Sequence, residues 1–141
     1  MVISHGQLAN ELVSAAEMIV GEIPNITAVS IGWHDEPGDA QREIEEAVAR
    51  VASGSGVIVL TDMFGGTPTN LSLALLEKDR VEVLTGVNLP MLIKLIHLRD
   101  SGGQDLMAIA RQAAAQGKES IYLASDLLSR ESGPGKPAGE E

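Results

Sequence analysis

The chain has 141 residues, 44% of them apolar and 21% charged, which is ordinary globular usage and enough length for one domain with its own core. Twenty acidic against ten basic side chains leave a net charge of −10, and the only aromatics are Trp33, Phe64 and Tyr122, so the attraction and stacking that a nucleic-acid binder needs are both missing. Without cysteine there are no disulfides, thiolate zinc sites, iron–sulfur clusters or Cys nucleophile. The first five residues lack the basic flank and apolar core of a signal peptide, and no stretch reaches the ~18 apolar residues of a membrane span; a soluble cytoplasmic protein is expected.

Short β-branched runs alternate with longer segments of helical spacing, which predicts an α/β domain of parallel strands joined by crossover helices. Met1 to Ser4 is the first strand. Leu8, Leu12, Ala15, Ala16 and Ile19 then recur at three- and four-residue spacing, an amphipathic helix that Gly21 and Pro24 end. Ile26 to Ile31 is a second strand. A turn-rich loop from Gly32 to Gly38 leads to Asp39, the expected N-cap of a helix that turns Ile44, Val48 and Val51 inward. Val57 to Leu60 is apolar on both alternating faces, the pattern of a central strand covered on two sides. Asp62 and the glycines Gly65 and Gly66 follow, with Thr67 as N-cap and Pro68 as first residue of a helix expected to run to about Glu77. Val81 to Leu84 is a fourth strand. Pro90 opens another helix, broken at Ser101–Gly103, and Leu106, Ile109, Ala110 and Ala113 mark the next. Ser120 to Ala124 reads as a fifth strand. The domain is expected to span 1–128, and the Gly-, Pro- and Ser-rich residues 129–141 to be a disordered tail.

In open α/β sheets ligands bind at the carboxyl ends of the strands, and that edge collects the polar candidates. His5 stands where the first strand ends, before Gly6. A neutral imidazole offers one ring nitrogen as a nucleophile if an acceptor holds the other as N–H. Asp62 is that acceptor if the two strands are neighbours, ~4.8 Å apart. The alternatives at this level are a structural histidine and a turn-forming aspartate. Gly65, Gly66 and Thr67 can cradle an anion with backbone N–H groups and a hydroxyl, or serve only as a tight strand-to-helix turn. No phosphate-loop lysine accompanies them. His34, with Asp35 and Glu36, offers no complete metal set, and no metal or other cofactor is expected. His97 is read as a helix-end cation, and Met18 and Met91 as core fillers. Trp33, Phe64 and Asn88 follow strands on the same rim and are candidates for a site wall or docking surface.

On the strength of Ile3-Ser4-His5-Gly6, Ala16-Glu17-Met18, the run from Val59 to Asn70 and that from Thr85 to Leu92, residues 1–125 resemble the enzyme IIA domain of the mannose family of the phosphoenolpyruvate-dependent sugar phosphotransferase system. The resemblance implies a doubly wound sheet of four parallel strands ordered 2-1-3-4, with a fifth strand exchanged in a homodimer. It also implies that His5 accepts a phosphoryl group from the phosphocarrier HPr and passes it to an enzyme IIB partner, in sugar uptake or in a regulatory phosphotransfer chain. Asp62 would orient the ring, Gly65, Gly66 and Thr67 would hold the phosphoryl oxygens, and Phe64, where the family often has tryptophan, would line the site. The apolar run before His5 is short for the family's first strand, and no IIB domain follows, so the recipient is expected to be a separate protein.

Three other readings compete. A receiver-type domain would need an acidic pair where Ser4-His5 stands and a lysine near Ala124-Ser125. A dihydroxyacetone kinase-type phosphotransfer subunit also places a histidine after its first strand, but the Gly65–Pro68 segment argues against it. A non-enzymatic regulatory module would dock partners through Trp33 and Phe64 without turning over phosphate.

Overall fold

The structure is a computed structural model that describes residues 1–32 and 36–131. The expectations placed on Trp33, His34 and Asp35, and on the tail from 132 onward, lie outside those residues. The elements run β1 (Val2–His5), α1 (Leu8–Val20), β2 (Ala28–Ile31), α2 (Pro37–Val51), β3 (Val57–Thr61), α3 (Thr67–Leu73), β4 (Val81–Thr85), α4 (Leu89–Ser101), α5 (Leu106–Glu119) and α6 (Ala124–Glu131). The four strands form one parallel sheet in the order β2-β1-β3-β4, as expected.

Period-two alternation assigns each strand residue to a face. Val2, Ile58 and Leu60 turn to one side, where Ala9 and Ala16 of α1, Met91, Leu92 and Ile96 of α4, and Ala110 and Ala113 of α5 pack on them. Ile3, Val29, Ile31, Val57 and Val59 turn to the other, against Ile44 and Ala47 of α2 and Leu71 of α3. All five residues of β3 are buried, because helices cover both faces of that strand. Alanines on α1 and α5 let those helices approach the sheet closely.

Several boundaries differ from expectation. Helix α2 opens at Pro37 with Glu36 before it, so Asp39 lies in the first turn, 3.3 Å from Arg42, and is not the N-cap. Proline's fixed φ suits a first helical turn and sets the start ahead of Asp39. Gly66, not Thr67, precedes α3, which ends at Leu73 and not near Glu77. The Leu75 N–H bonds back to Ser72 O and Arg80 N–H to Glu77 O, a tight turn that delivers the chain into β4. Residues 121–123 form no ladder within this chain, and α6 carries helix through Ser129 to Glu131, where disorder was expected. Ser129 Oγ donates to Ser125 O at 2.8 Å inside that helix.

Ile44 is fully buried in the second cluster. Ile44→Ala is expected to destabilise the fold by about 2–5 kcal/mol, through lost transfer free energy and the cavity left behind, as urea unfolding would measure.

Candidate functional site

The sheet order places β1 and β3 side by side while their crossover helices pack on opposite faces, and the carboxyl ends of these two strands open the crevice where doubly wound sheets bind ligands. Pairing between them runs Val2↔Leu60 and Ile3↔Thr61 and then stops. One residue on, the Asp62 side chain takes over the role of the ladder. Its Oδ2 accepts the His5 backbone N–H at 2.9 Å and lies 2.7 Å from His5 Nδ1, while Oδ1 accepts the Met63 N–H at 2.9 Å.

The electrostatics follow from those contacts. Burial alone would raise the Asp62 carboxyl, but hydrogen bonds from the His5 backbone and ring and from the Met63 N–H outweigh it and hold the group below the usual carboxylate range. An ionised Asp62 can only accept, so Nδ1 carries the proton and donates to it, and Nε2 keeps the lone pair. The exposures separate the roles. The His5 side chain is 51% accessible and that of Asp62 11%, so the carboxylate sits beneath the ring and the ring faces out. Gly6 at φ +53° lets the chain turn out of β1 directly after the histidine.

Gly66 comes against the imidazole. A Cβ built there would stand 2.7 Å from His5 Cε1 and 3.1 Å from Nε2, so a side chain at this position and the ring in its present place exclude each other. Gly66 has an ordinary negative φ; close approach, not backbone conformation, requires the glycine. Among the described residues, the N–H groups of Phe64, Gly65, Gly66 and Thr67 have no hydrogen-bond partner. Thr67 is exposed at the first position of α3. The loop therefore sets free donors beside the nitrogen that carries the lone pair.

The structure thus brings His5, Asp62 and the Gly65–Thr67 turn together. Phe64 is 73% exposed on the same loop. The Asn88 Oδ1 accepts the Met91 N–H and its Nδ2 donates to Gly117 O, both at 3.0 Å, so it caps α4 and ties it to α5. His97 is exposed near the end of α4, as expected. Three contributors escaped the sequence reading. Fully buried Ser4 accepts the Ala9 N–H at 2.6 Å and pins α1 to the end of β1. Thr61 and Thr69 share a buried hydroxyl contact under the loop. A polar residue inside an apolar strand run was the only signal for Ser4 and Thr61.

No group of three or more His, Cys, Asp or Glu able to hold a metal occurs among the described residues. None of the helices among them is long and apolar enough to cross a membrane.

Known proteins resemble this chain in both sequence and fold. A family model described as "PTS system fructose IIA component" matches residues 1–114. The mannose-specific EIIAB component of Escherichia coli (strain K12) is 35% identical in an alignment of 126 positions that covers 84% of this chain and 38% of that protein. The chain therefore spans well under half the length of that relative. The fructose-specific EIIA component of Bacillus subtilis (strain 168) is 28% identical, over 92% of this chain and 88% of its own. Among solved structures, a PTS IIA protein associated with the fucose utilization operon of Streptococcus pneumoniae superposes with a TM-score of 0.74 at 31% identity, covering 90% of this chain and 93% of that one.

Because its folded-state pKa is depressed, Asp62 contributes stability above the unfolded carboxylate value of about 3.8 and loses that contribution as pH falls through the lower folded value. Asp62→Asn is accordingly expected to be less stable than wild type at neutral pH, with the gap closing in acid. Urea midpoints of both proteins measured across the acid range would check this, and a gap that does not depend on pH would contradict it.

Proposed function

The chain belongs to the mannose-type EIIA family of phosphotransferase system components, and from that membership we propose that it is a phosphohistidine carrier in sugar uptake. It takes a phosphoryl group from an HPr-like phosphocarrier and hands it to an enzyme IIB partner. The observation that carries this reading is the half-exposed His5 ring, whose Nδ1 is held 2.7 Å from a carboxylate while Nε2 faces the Gly66 turn.

In the first transfer the Nε2 lone pair attacks phosphorus, the N–P bond of the donor phosphohistidine breaks, and its electron pair stays with the donor ring. The His5 imidazole becomes cationic as it gains the phosphoryl group. Asp62, already ionised, stabilises that cation and keeps the ring from rotating. Thr67 and the free N–H groups from Phe64 to Thr67 are placed to take the phosphoryl oxygens. With a net charge of −10 the chain's overall field opposes an anion, so attraction at the site rests on these local donors. The second transfer reverses the steps toward an acceptor side chain on the IIB partner. Phe64 and the neighbouring Met63, 56% exposed, give both partners an apolar rim to press on. A carrier that serves a sugar transporter from the cytoplasmic side fits a chain whose described helices are none of them membrane-spanning.

A homodimer is part of the proposal. Ile121, Tyr122 and Leu123 are 63–76% exposed beyond α5, and among the described residues no strand lies beside the outer edge of β4. A second copy that lays residues 120–124 on that edge would cover both.

Incubation with phosphoenolpyruvate, enzyme I and HPr is expected to yield an acid-labile, hydroxylamine-sensitive adduct on wild type and none on His5→Ala. With the donors shown active on another acceptor, an unlabelled wild type overturns the carrier reading. Undiminished regulatory effect of His5→Ala on a bound partner would favour a docking module instead. Sedimentation is expected to give a dimer that becomes monomeric when residues 120–141 are removed; a monomeric full chain would rule out the exchange.

A further inference from the structure

The aim of the His5 ring is only as good as that of the carboxylate beneath it, and the carboxylate's own loop is anchored by two buried hydroxyls. Thr61, the last residue of β3, and Thr69, the third of α3, have no accessible surface, and their Oγ1 atoms are 2.8 Å apart. Thr69 Oγ1 donates to Met63 O at 2.5 Å. A threonine has one hydroxyl proton. Thr69 places its proton on the Met63 carbonyl, so in the contact between the two hydroxyls Thr61 is the donor.

Met63 is thereby gripped from both ends. Its N–H bonds to Asp62 Oδ1 at 2.9 Å and its carbonyl is drawn inward to Thr69, while its side chain lies largely in solvent. The outcome is an unbroken chain of hydrogen bonds from the interior to the reactive ring: Thr61 to Thr69, Thr69 to the Met63 carbonyl, the Met63 N–H to Asp62 Oδ1, and Asp62 Oδ2 to His5. We propose that Thr69 is a positioning residue for the phosphoryl transfer, acting through Met63 on the Asp62 carboxylate and hence on the His5 tautomer. The inference rests on the carrier reading above.

Two physical consequences give the residue its leverage. In a trans peptide the C=O and N–H point in opposite directions. A Met63 carbonyl pulled into the core therefore turns the Phe64 N–H to the exposed side of the loop, where it stands as a free donor beside Gly65 and Gly66. The second consequence concerns the carboxylate. A Met63 N–H held in place fixes Oδ1, and with Oδ1 fixed, Oδ2 cannot swing away from the imidazole. An isosteric Thr69→Val keeps the buried volume but removes the donor, so the Met63 carbonyl is left to seek water and the loop to turn with it. Among the described residues, no other hydrogen bond holds that carbonyl.

The test compares Thr69→Val and Thr69→Ser with wild type by two readouts: the rate of phosphoryl uptake from phospho-HPr, and the ¹⁵N signals of the His5 ring in the unphosphorylated protein. Thr69→Val is expected to transfer about tenfold more slowly, the scale of one lost hydrogen bond, and to lose part of the Nδ1–H tautomer. Thr69→Ser, which keeps the hydroxyl, is expected to restore both. Wild-type rate and ring signals in Thr69→Val would overturn the proposal, and so would a Thr69→Ser as slow as Thr69→Val. Should the valine variant not fold, Thr69→Cys keeps the size with a weaker donor and is read by the same two measurements. If wild type takes up no phosphoryl group, the carrier reading fails by itself, and the ring signals still decide whether Thr69 governs the His5 tautomer.

Discussion

A single carboxylate oxygen organises the candidate site of this protein. Asp62 Oδ2 accepts from both the backbone N–H and the ring of His5, so one atom fixes where the histidine's backbone ends its strand and which ring nitrogen keeps its proton. The backbone contact is the less conspicuous of the two and the more consequential for geometry. A ring hydrogen bond alone would leave the histidine free to pivot about its side-chain torsions. With the backbone N–H tied to the same oxygen, carboxylate, strand end and imidazole form one closed unit.

That unit exists because the sheet order puts β1 next to β3. Residues 5 and 62 lie fifty-seven positions apart and meet only because the crossover through α1, β2 and α2 returns the chain to the other edge of the first strand. The two helical layers then bury both faces of the sheet and leave the carboxyl ends of its strands open. Below the His5–Asp62 pair the buried polar residues are small and hydrogen-bonded. Ser4 holds α1, and Thr61 and Thr69 hold the loop after β3. Buried hydroxyls at these points are satisfied by short bonds, which makes the floor of the site stiff where an apolar floor would let the loop slide.

On the proposed carrier reading, the site also reconciles an acidic chain with an anionic group in transit. Charge over the whole surface is unfavourable to phosphate, while the N–H groups of the Phe64–Thr67 turn and the cation proposed to form on His5 act over a few ångströms. Such a balance suits a carrier, which has to hold its phosphoryl group long enough to meet the next protein and not so tightly that it keeps it. The glycine that lets the turn approach the ring does so by lacking a Cβ, and a larger residue at 66 would occupy space the imidazole now fills.

Much of this was legible in the order of residues alone. Alternation of β-branched runs with helical spacing dictated the class, and the doubly apolar run from Val57 announced a central strand, because burial on two faces leaves no room for polar side chains. His5 and Asp62 were legible as strand-end residues with complementary proton chemistry. Their contact was not, since periodicity says which face a residue takes and nothing about which strand lies beside it; the resemblance to a known family supplied the strand order. Local rules misplaced the starts of α2 and α3 and the end of α3, where proline geometry and a tight return to β4 overrode capping preference. Asn88, expected as site wall, also caps α4, because a cap and a docking residue look alike in one dimension. The sequence by itself determined which groups could react. Only the folded chain decided that Met63 would be clamped between Asp62 and Thr69, because hydrogen bonds between distant residues depend on distances that no local pattern encodes.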